Sequence, residues 1–223
     1  MINSAINFAV IFDMDGVMVD NISYHIEALN IFCQRHNCSF TDEEFKQNIS
    51  GKTTKEVMNY IFKRELNFQE LINYTEEKES IYRDLYSKHL CPTKGLVKFL
   101  KILRENNIKI AVATAGPKIN LDFVLKGIKA DQYFEALVNG DMVENGKPDP
   151  EIYLKAAKLI NVEPSSCIVI EDSIMGIRSG LNAGMKVIGI TTVHSRAELK
   201  KADYIIDDFE QLSIDDLKKI VNI

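Results

Sequence analysis

Residues 8–17 of the chain read FAVIFDMDGV, and this stretch decides the fold. Its first five residues are apolar, which predicts a short strand buried on both faces, as in a parallel sheet. Asp13 and Asp15 follow at once, so two carboxylates lie at the carboxyl end of the strand. Carboxylates this close repel each other unless a cation or a proton lies between them. The pair is interpreted either as a hard-metal site, in which one carboxylate attacks and the other moves protons, or as a polar turn that ends the strand.

Composition and charge narrow the classes of function. The 223 residues are 46% hydrophobic and 26% charged, as in an ordinary globular protein. The net charge is −5 and no basic run is present, so the sequence predicts neither a nucleic-acid partner nor a membrane surface. No apolar run approaches the roughly 20 residues that span a bilayer, and residues 1–7 lack the features of a signal peptide. The four cysteines lack metal-site spacing, so we expect a cytoplasmic protein with reduced thiols.

Residues 20–86 are predicted to be entirely helical. A stripe of apolar residues over 21–37 predicts the first helix. Thr41 and Thr53 are each expected to cap a short helix, the first of them within a capping box. A long charged helix is predicted over residues 68–86. Because this region carries no strand signal, we interpret it as a helical insert after the first strand.

From residue 92 onward, predicted strands and helices alternate, and Pro150 is expected at the first position of one of the helices. We interpret the alternation as an α/β fold with a doubly wound, Rossmann-like parallel sheet and right-handed crossovers. The chain is then divided into a Rossmann-like core, residues 1–19 and 87–223, and the helical insert, residues 20–86. Sheets of this kind place their functional site at the carboxyl ends of the strands. The further strands are predicted at residues 108–113, 133–138, 167–170, 186–190 and 204–206.

Six polar residues are predicted to meet at this edge of the sheet. Two follow the first strand, one follows the second, one lies in a loop stiffened by two prolines, and two follow the strand at 167–170. Each has an ordinary structural explanation: the threonine suits a turn, the lysine a solvated loop, and the last two carboxylates a helix cap. Together, four carboxylates, a hydroxyl and a lysine in this order favour one functional site. The six are Asp13, Asp15, Thr114, Lys147, Glu171 and Asp172.

The same motifs resemble those of the haloacid dehalogenase superfamily. They are DMDG after a buried strand (residues 13–16), Thr114 after the second strand, GKPDP (146–150) and EDS opening a helix (171–173). The helical insert is similar to the helical cap of the subgroup that contains sugar-phosphate phosphatases and β-phosphoglucomutase. The resemblance covers essentially the whole chain, and it implies an enzyme that uses Mg²⁺ and acts on a small phosphorylated metabolite.

The resemblance also implies roles for the carboxylates. Asp13 is expected to attack phosphorus in line and to form an aspartyl-phosphate. Mg²⁺ is expected on Asp13, on the backbone carbonyl of Asp15 and on Asp172, with Glu171 assisting from the outer coordination sphere. Asp15 is expected to protonate the leaving alcohol and then to deprotonate the incoming water or hydroxyl.

Three further groups are implied for holding the transferred phosphoryl oxygens: the Thr114 hydroxyl, the backbone N–H of Ala115 and the Lys147 ammonium. Thr114 and Lys147 are therefore expected to be both catalytic and substrate-binding residues. Lysine and metal together make the site locally positive, so an acidic protein can bind a phosphate ester there.

Within the cap, His25, Gly51 and Lys78 match the β-phosphoglucomutase pattern and are predicted to bind substrate. His25 also suits a packed or surface histidine, and Lys78 a solvated helix lysine. Where the mutase carries an arginine, three residues after its cap glycine, this chain has Thr54. A bidentate arginine suits a second phosphate group, so its loss favours hydrolysis over a mutase reaction. The lysines that could compensate are Lys52, also predicted to bind substrate, and Lys55.

We therefore expect a Mg²⁺-dependent phosphatase for a small phosphorylated metabolite, with a sugar phosphate as the expected substrate. The alternative is a β-phosphoglucomutase-type transfer, which would make glucose 6-phosphate without releasing phosphate. A phospho-aspartate switch or an inactive binding module conflicts with an acid–base carboxylate at Asp15, and an alkyl dehalogenase needs no metal carboxylates. Since the cap would close the site without a partner chain, a monomer is predicted.

Overall fold

The computed structural model describes residues 8–222 and centres on a parallel sheet. Its strands are β1 (Ala9–Phe12), β2 (Lys109–Ala113), β3 (Ala136–Val138), β4 (Cys167–Glu171), β5 (Lys186–Ile190) and β6 (Tyr204–Ile206). Every pairing is parallel, and the order across the sheet is β3-β2-β1-β4-β5-β6. The predicted doubly wound α/β fold is confirmed.

Helices connect the strands and cover both faces of the sheet. They are α1 (Ile22–Arg35), α2 (Asp42–Glu44), α3 (Thr54–Phe62), α4 (Phe68–Tyr86), α5 (Leu96–Glu105), α6 (Lys118–Gly127), α7 (Glu151–Leu159), α8 (Ile174–Asn182) and α9 (Ile214–Ile220). The first four lie between β1 and β2 in the sequence, and residues 22–86 are called the helical module below. Across residues 8–222, no helix is both long and apolar enough to cross a membrane.

The central strand β1 is buried on both sides because its alternate side chains enter two separate cores. Val10 and Phe12 belong to the core on one face, where Phe12 packs edge-on against Phe99 of α5 with ring centroids 6.2 Å apart. Ile11 belongs to the core on the other face, together with Tyr153 of α7. A strand covered on both faces needs apolar residues at every position, which is why this stretch reads as an unbroken apolar run.

The register of β1 aligns the strand ends that carry the polar residues. Phe12 is opposite Val112 of β2 and opposite Ile170 of β4. Asp13, the next residue, donates its N–H to the Ile170 carbonyl at 3.0 Å. The chain leaves β1 at the point where the strand order reverses, and crevices at such points are the usual ligand sites of open α/β sheets.

The helical module has its own small core, built by α1, α3 and α4 around Leu29, Phe32 and Met58. Thr41 and Thr53 both form the reciprocal hydrogen bonds of a capping box, with Glu44 and Glu56 as partners, and the predicted caps are confirmed. After Thr41 only one α-helical turn forms, and the chain continues as a π-helical turn over Phe45–Ile49. The predicted short helix is therefore present, but the second half of it has π geometry.

Several predicted boundaries differ from the observed ones by one or two residues, as at α1 (predicted 21–37) and β2 (predicted 108–113). Two differences have a visible cause. The strand expected over 133–138 begins only at Ala136, because Asp131–Tyr133 form a 3₁₀ turn and the Glu135 carboxylate, in place of a backbone carbonyl, accepts the N–H of Ile110 at 2.7 Å. Helix α7 begins one residue after Pro150, and the Glu151 N–H is satisfied by the Asp149 side chain at 2.9 Å. Both shifts arise where a side chain takes over a hydrogen bond that the backbone would otherwise make.

Candidate active site

A tight turn after β1 brings its carboxylates to the sheet edge. Gly16 has a φ of +79°, a left-handed conformation that favours glycine. A Cβ atom at this position would also overlap the Asp172 carboxylate, so the turn and the end of β4 approach each other as closely as glycine permits. The turn closes where the Gly16 N–H donates to the Val19 carbonyl at 2.9 Å.

Three carboxylates gather around one point at this edge. Oxygen atoms of Asp13, Glu171 and Asp172 lie within 4.8 Å of one another, and all three side chains are buried. The Lys147 ammonium donates to Asp13 Oδ1 at 2.7 Å and to Glu171 Oε1 at 2.5 Å. If all three carboxylates are ionised, the single ammonium leaves two negative charges without a partner. One divalent cation would neutralise them.

The carboxylates differ in how many protein donors they already have. Glu171 Oε1 accepts from Lys147 and from the Tyr153 hydroxyl at 2.6 Å, and its Oε2 accepts from the Asp172 N–H, the Ser173 N–H and the Ser173 hydroxyl, each at 3.0 Å. Asp172, by contrast, accepts no side-chain hydrogen bond from any other residue that the structure describes. Asp13 and Asp172 therefore retain lone pairs for a cation, whereas Glu171 is saturated and supports its neighbours from behind.

The pKa values of these groups follow from burial and from the excess of negative charge. Burial raises the pKa of Asp13 to about 7, and the nearby carboxylates reinforce the rise against the pull of Lys147. Burial, with Glu171 and Asp13, likewise raises the pKa of Asp172 well above its ordinary value. Burial alone would lower the pKa of Lys147, but the charges of Asp13 and Glu171 outweigh it and raise that pKa. These buried carboxylate oxygens are the type of ligand that a hard cation such as Mg²⁺ prefers.

Asp15 faces away from the acidic cluster and toward the helical module. Its Oδ1 accepts from the Asn21 amide at 2.6 Å and lies 3.3 Å from His25 Nε2, while its Oδ2 accepts from the Thr114 hydroxyl at 3.4 Å. Burial would raise the pKa of Asp15, but His25, Asn21 and Lys78 outweigh it and lower that pKa. The Asp15 side chain is therefore not one of the three carboxylates that could hold a metal together. Asp15 could contact the metal only through its backbone carbonyl, the contact that the family resemblance implies.

Thr114 and the two residues after it form a polar cradle at the end of β2. The Thr114 hydroxyl is buried and accepts from the Gly116 N–H at 3.1 Å. The Ala115 N–H has no acceptor within residues 8–222, which leaves it free to donate to a ligand. Both residues line the same cavity as Asp13 and Lys147.

On the opposite wall, His25 and Lys78 form a buried pair. Lys78 Nζ lies 3.0 Å from His25 Nδ1, and since an ammonium can only donate, His25 Nδ1 accepts and the ring proton is on Nε2, facing Asp15. The His25 ring stacks on Tyr82 with centroids 3.7 Å apart. Lys78 is only 8% exposed, so its interpretation as a solvated lysine is wrong; His25 is both packed and in contact with Asp15.

The loop at residues 50–53 of the helical module also reaches the site. The Gly51 carbonyl accepts from the Lys147 N–H at 3.0 Å, and the loop thereby touches the residue that bonds to Asp13. Lys52 lines the cavity with its ammonium 3.6 Å from Glu56, whereas Lys55 is exposed and lies outside the cavity. All the residues predicted for the site line this one cavity except Glu171, which lies behind it: Asp13, Asp15, His25, Gly51, Lys52, Lys78, Thr114, Ala115, Lys147 and Asp172.

Comparison with known proteins identifies the family. A family model of haloacid dehalogenase-like hydrolases matches residues 10–190. The chain belongs to this family. It is 32% identical over 188 residues to a phosphorylated carbohydrates phosphatase of Thermotoga maritima, a match that covers 84% of this chain and 86% of that protein.

Two further relatives of this haloacid dehalogenase-like hydrolase carry the name β-phosphoglucomutase. The Bacillus subtilis protein is 31% identical, with 82% of each chain covered. The crystal structure of the Clostridium difficile protein matches with a TM-score of 0.85 and 28% identity over 97% of each chain. The predicted superfamily and its β-phosphoglucomutase-like subgroup are confirmed, as is the enzyme class of phosphoric monoester hydrolase.

Several residues of the hydrolase site were missed by sequence reasoning. Asn21 occupies the N-cap position of α1 but makes no cap bond; its side chain holds Asp15 and also donates to the Tyr82 hydroxyl at 2.6 Å. Tyr153 supports Glu171 from α7, and Glu79 contacts Lys78 from the same helix. Asn21 reads as an ordinary helix cap and Glu79 as one more charge on a charged helix, so no sequence signal separated them from surface residues.

Proposed function

We propose that this chain is a Mg²⁺-dependent phosphatase that hydrolyses a small phosphorylated metabolite, a sugar phosphate, through a phosphorylated Asp13. The observation that carries the proposal is the division of the site into two parts. Asp13, Asp172 and Lys147 converge on one point, while Asp15 is held apart from them by the helical module. A nucleophile with a cation beside it and a separate acid–base group is what in-line phosphoryl transfer requires.

The residues present fit Mg²⁺. Asp13 and Asp172 would hold it with their carboxylates and Asp15 with its backbone carbonyl, and Glu171 would keep the set in place. When bound, the ion would supply positive charge to the phosphoryl oxygens and neutralise the pair of excess carboxylate charges. This assignment keeps the metal ligands that the sequence predicts, with Glu171 in the outer position that its five hydrogen bonds support.

The chain's own groups account for the remaining steps. An Asp13 oxygen attacks phosphorus, a P–O bond forms to Asp13, and the ester P–O bond breaks. The Thr114 hydroxyl, the Ala115 N–H and the Lys147 ammonium hold the equatorial oxygens, which gain charge in the transition state. The negative charge of the bound phosphate ester opposes the pull of His25 and Lys78 and favours the protonated form of Asp15. Asp15 then gives its proton to the leaving alcohol oxygen, and later takes a proton from the water that attacks the aspartyl-phosphate and restores Asp13.

The helical module is proposed as a cap, residues 20–86, on a core of residues 1–19 and 87–223. Its proposed hinges are residues 19–20 and 86–91, on either side of the module. His25 and Lys78 orient Asp15 from the cap side, and Gly51 contacts the loop of Lys147, so a closed cap completes the site and excludes water. The monomeric state and the cytoplasmic location stay predictions.

Hydrolysis is favoured over a mutase reaction by the cap wall of the cavity. Among the described residues that line it, none is an arginine, and position 54 carries threonine. The free side of the wall is largely apolar, formed by Ile22, Leu29, Phe45, Ile49, Val57 and Met58. Lys52 is a single flexible cation that already has Glu56 nearby, and it does not replace a bidentate clamp for a second phosphate. We therefore propose a substrate with one phosphate group.

The test is phosphate release from hexose and pentose monophosphates, nucleotides and phosphoglycolate, with Mg²⁺ or with EDTA. We expect Mg²⁺-dependent release from at least one sugar phosphate and none from the Asp13→Asn variant. Formation of glucose 6-phosphate from β-glucose 1-phosphate, primed by the bisphosphate and without phosphate release, would instead establish the mutase. A wild-type protein that turns over none of these esters would contradict the proposal.

A further inference from the structure

Glu79 of α4 is a buried carboxylate that the mechanism above does not use. It is 3% exposed, and both of its oxygens have partners. Oε1 accepts from Lys78 Nζ at 3.0 Å, and Oε2 accepts from the Asn120 side-chain amide at 2.6 Å. Asn120 lies on α6 of the core and is fully buried, and its own oxygen accepts from Arg83 at 3.3 Å.

The contact with Lys78 does not serve the helix that carries both residues. Neighbouring residues of a helix point in different directions, so an ion pair between them adds nothing to the stability of the helix itself. A carboxylate buried away from water costs several kcal/mol unless it is paired and hydrogen-bonded. Glu79 is retained inside the protein between a lysine that lines the cavity and an amide on the other side of the module–core boundary.

These contacts extend the acid–base group into an unbroken chain of hydrogen bonds. From the core it runs through Asn120 to Glu79 (2.6 Å), to Lys78 (3.0 Å), to His25 (3.0 Å) and to Asp15 (3.3 Å). The chain leaves the core at α6, passes through α4 and α1 of the helical module, and returns to the turn after β1. Lys78 thus contacts both His25 and Glu79, and Glu79 receives its second hydrogen bond from the core.

We propose that Glu79 is a positioning residue for proton transfer by Asp15: it fixes Lys78 against His25 and ties this arrangement to the seating of α4 on α6. The inference rests on the proposed function, because it assigns Glu79 to the same acid–base step. It makes the orientation of Asp15 depend on a contact between the helical module and the core, which joins Glu79 on the cavity wall to Asn120 outside the cavity.

The donor and acceptor pattern provides a sharp variant set. Asn120 and Lys78 both donate to Glu79, so Glu79→Gln, with one acceptor and one donor group, can satisfy only one of them. In the double variant, Glu79→Gln with Asn120→Asp, the new side-chain oxygen at position 79 accepts from Lys78 and its amide donates to the new carboxylate at position 120. Both hydrogen bonds are restored, and the negative charge now lies on the core side of the contact. Asn120→Ala removes the core contact of Glu79 and also the acceptor of the Arg83 hydrogen bond. Asp84→Asn is the matched control, because Asp84 is an exposed carboxylate on the same helix and has no ion pair with Arg83 or Lys78.

The measurement is kcat/KM for the best sugar phosphate and for 4-nitrophenyl phosphate, both in the presence of Mg²⁺. Thermal unfolding of each variant shows whether it is folded. A sugar alkoxide needs a proton to leave, whereas 4-nitrophenolate does not. We expect Glu79→Gln and Asn120→Ala to lower kcat/KM for the sugar phosphate about 10- to 100-fold, the effect of a lost hydrogen bond to a charged group. Both should change the aryl ester by less than about threefold, and the double variant should recover most of the loss.

The outcomes separate this role from a structural one and from the proposed function. Equal losses with both esters, or a double variant no better than Glu79→Gln, would overturn the role, as would sugar-phosphate activity unchanged by either single substitution. If Glu79→Gln does not fold, Asn120→Ala and the double variant decide by the same comparison. Wild-type protein that is inactive on every ester would overturn the proposed function itself; active wild-type protein with unaffected variants overturns only the role of Glu79.

Discussion

Replacing Lys147 by methionine removes the one ammonium that the structure places within the acidic cluster. The side chain is 2% exposed, lies 2.7 Å from Asp13, and has its ammonium 5.1 Å from the centre of the Tyr153 ring. Methionine has a similar length, so the volume is nearly kept while the charge is lost. Removing one partner of a buried ion pair costs about 3–5 kcal/mol, because the other partner stays buried without compensation. We expect a loss of this size in the free energy of unfolding of the metal-free protein.

The loss should depend on pH with a definite sign. Without Lys147, the pKa values of Asp13 and Glu171 rise, and a carboxyl group whose pKa is higher in the folded than in the unfolded protein destabilises the fold as the pH rises. The loss should therefore be smaller near pH 5, where these groups can be protonated, than near pH 8. Mg²⁺ should recover part of the loss at pH 8, because it replaces the missing positive charge.

Activity should fall as well, because Lys147 is proposed to hold a phosphoryl oxygen in the transition state. Loss of one such donor lowers kcat by about 10²- to 10³-fold in comparable sites. The assays are urea unfolding at both pH values with and without Mg²⁺, and phosphate release. Lys186→Met is the control, since Lys186 forms an exposed ion pair with Asp203 that is worth about 0–1 kcal/mol. A Lys147→Met variant as stable and as active as this control would refute the reasoning.

Three further results are expected. Asp15→Asn should lower kcat/KM for a sugar phosphate by about 10²- to 10⁴-fold in the phosphate-release assay; a loss below tenfold would remove it as the acid. Mg²⁺ should raise the thermal unfolding temperature more at pH 8 than at pH 5.5, since the raised pKa of Asp13, about 7, lets protons compete at low pH; an equal shift, or one retained in Asp172→Asn, would contradict this. Gly16→Ala should abolish activity, because the added Cβ would overlap the Asp172 carboxylate. Gly184→Ala, at a similar φ of +74° with open space around it, should lower the free energy of unfolding by only about 1–2 kcal/mol and leave activity intact. Equal activity of the two variants would show that the turn at Gly16 is not crowded.

The elements that sequence reasoning predicted best are the buried strands. The predicted bounds of β5 agree with those observed, because a strand covered on both faces is a short apolar run that ends abruptly at polar residues. The predicted bounds of β6 agree as well, although it is an edge strand and Tyr204 is exposed. The carboxyl ends of such strands meet at one edge, so Asp13, Thr114 and Asp172 could be assigned to one place before any coordinates were known. Edge strand β3, which pairs on one side only, was predicted three residues too long.

The side of the site that the helical module forms could not be predicted from the sequence, for a physical reason. Lys78 and Glu79 lie on a charged helix, and charged helices are usually solvated on that face. Their burial arises only because α4 packs against α1 and meets α6, and neither contact has a periodic signal in the sequence. Asn120 and Asn21 are buried amides for the same reason: each donates to a partner in a distant segment, Glu79 and Tyr82 respectively, and a lone asparagine does not reveal its partner.

The central claim, that Asp13 carries the phosphoryl group, is tested most directly by locating that group on the chain. The Asp15→Asn variant is mixed with 4-nitrophenyl phosphate and Mg²⁺, quenched, reduced with borohydride to convert an acyl phosphate into a stable alcohol, and analysed by peptide mass spectrometry. The account predicts modification at Asp13 alone, absent without Mg²⁺ and absent when Asp13→Asn is added. Modification of another residue, or release of 4-nitrophenol with Asp13 never modified, would contradict it.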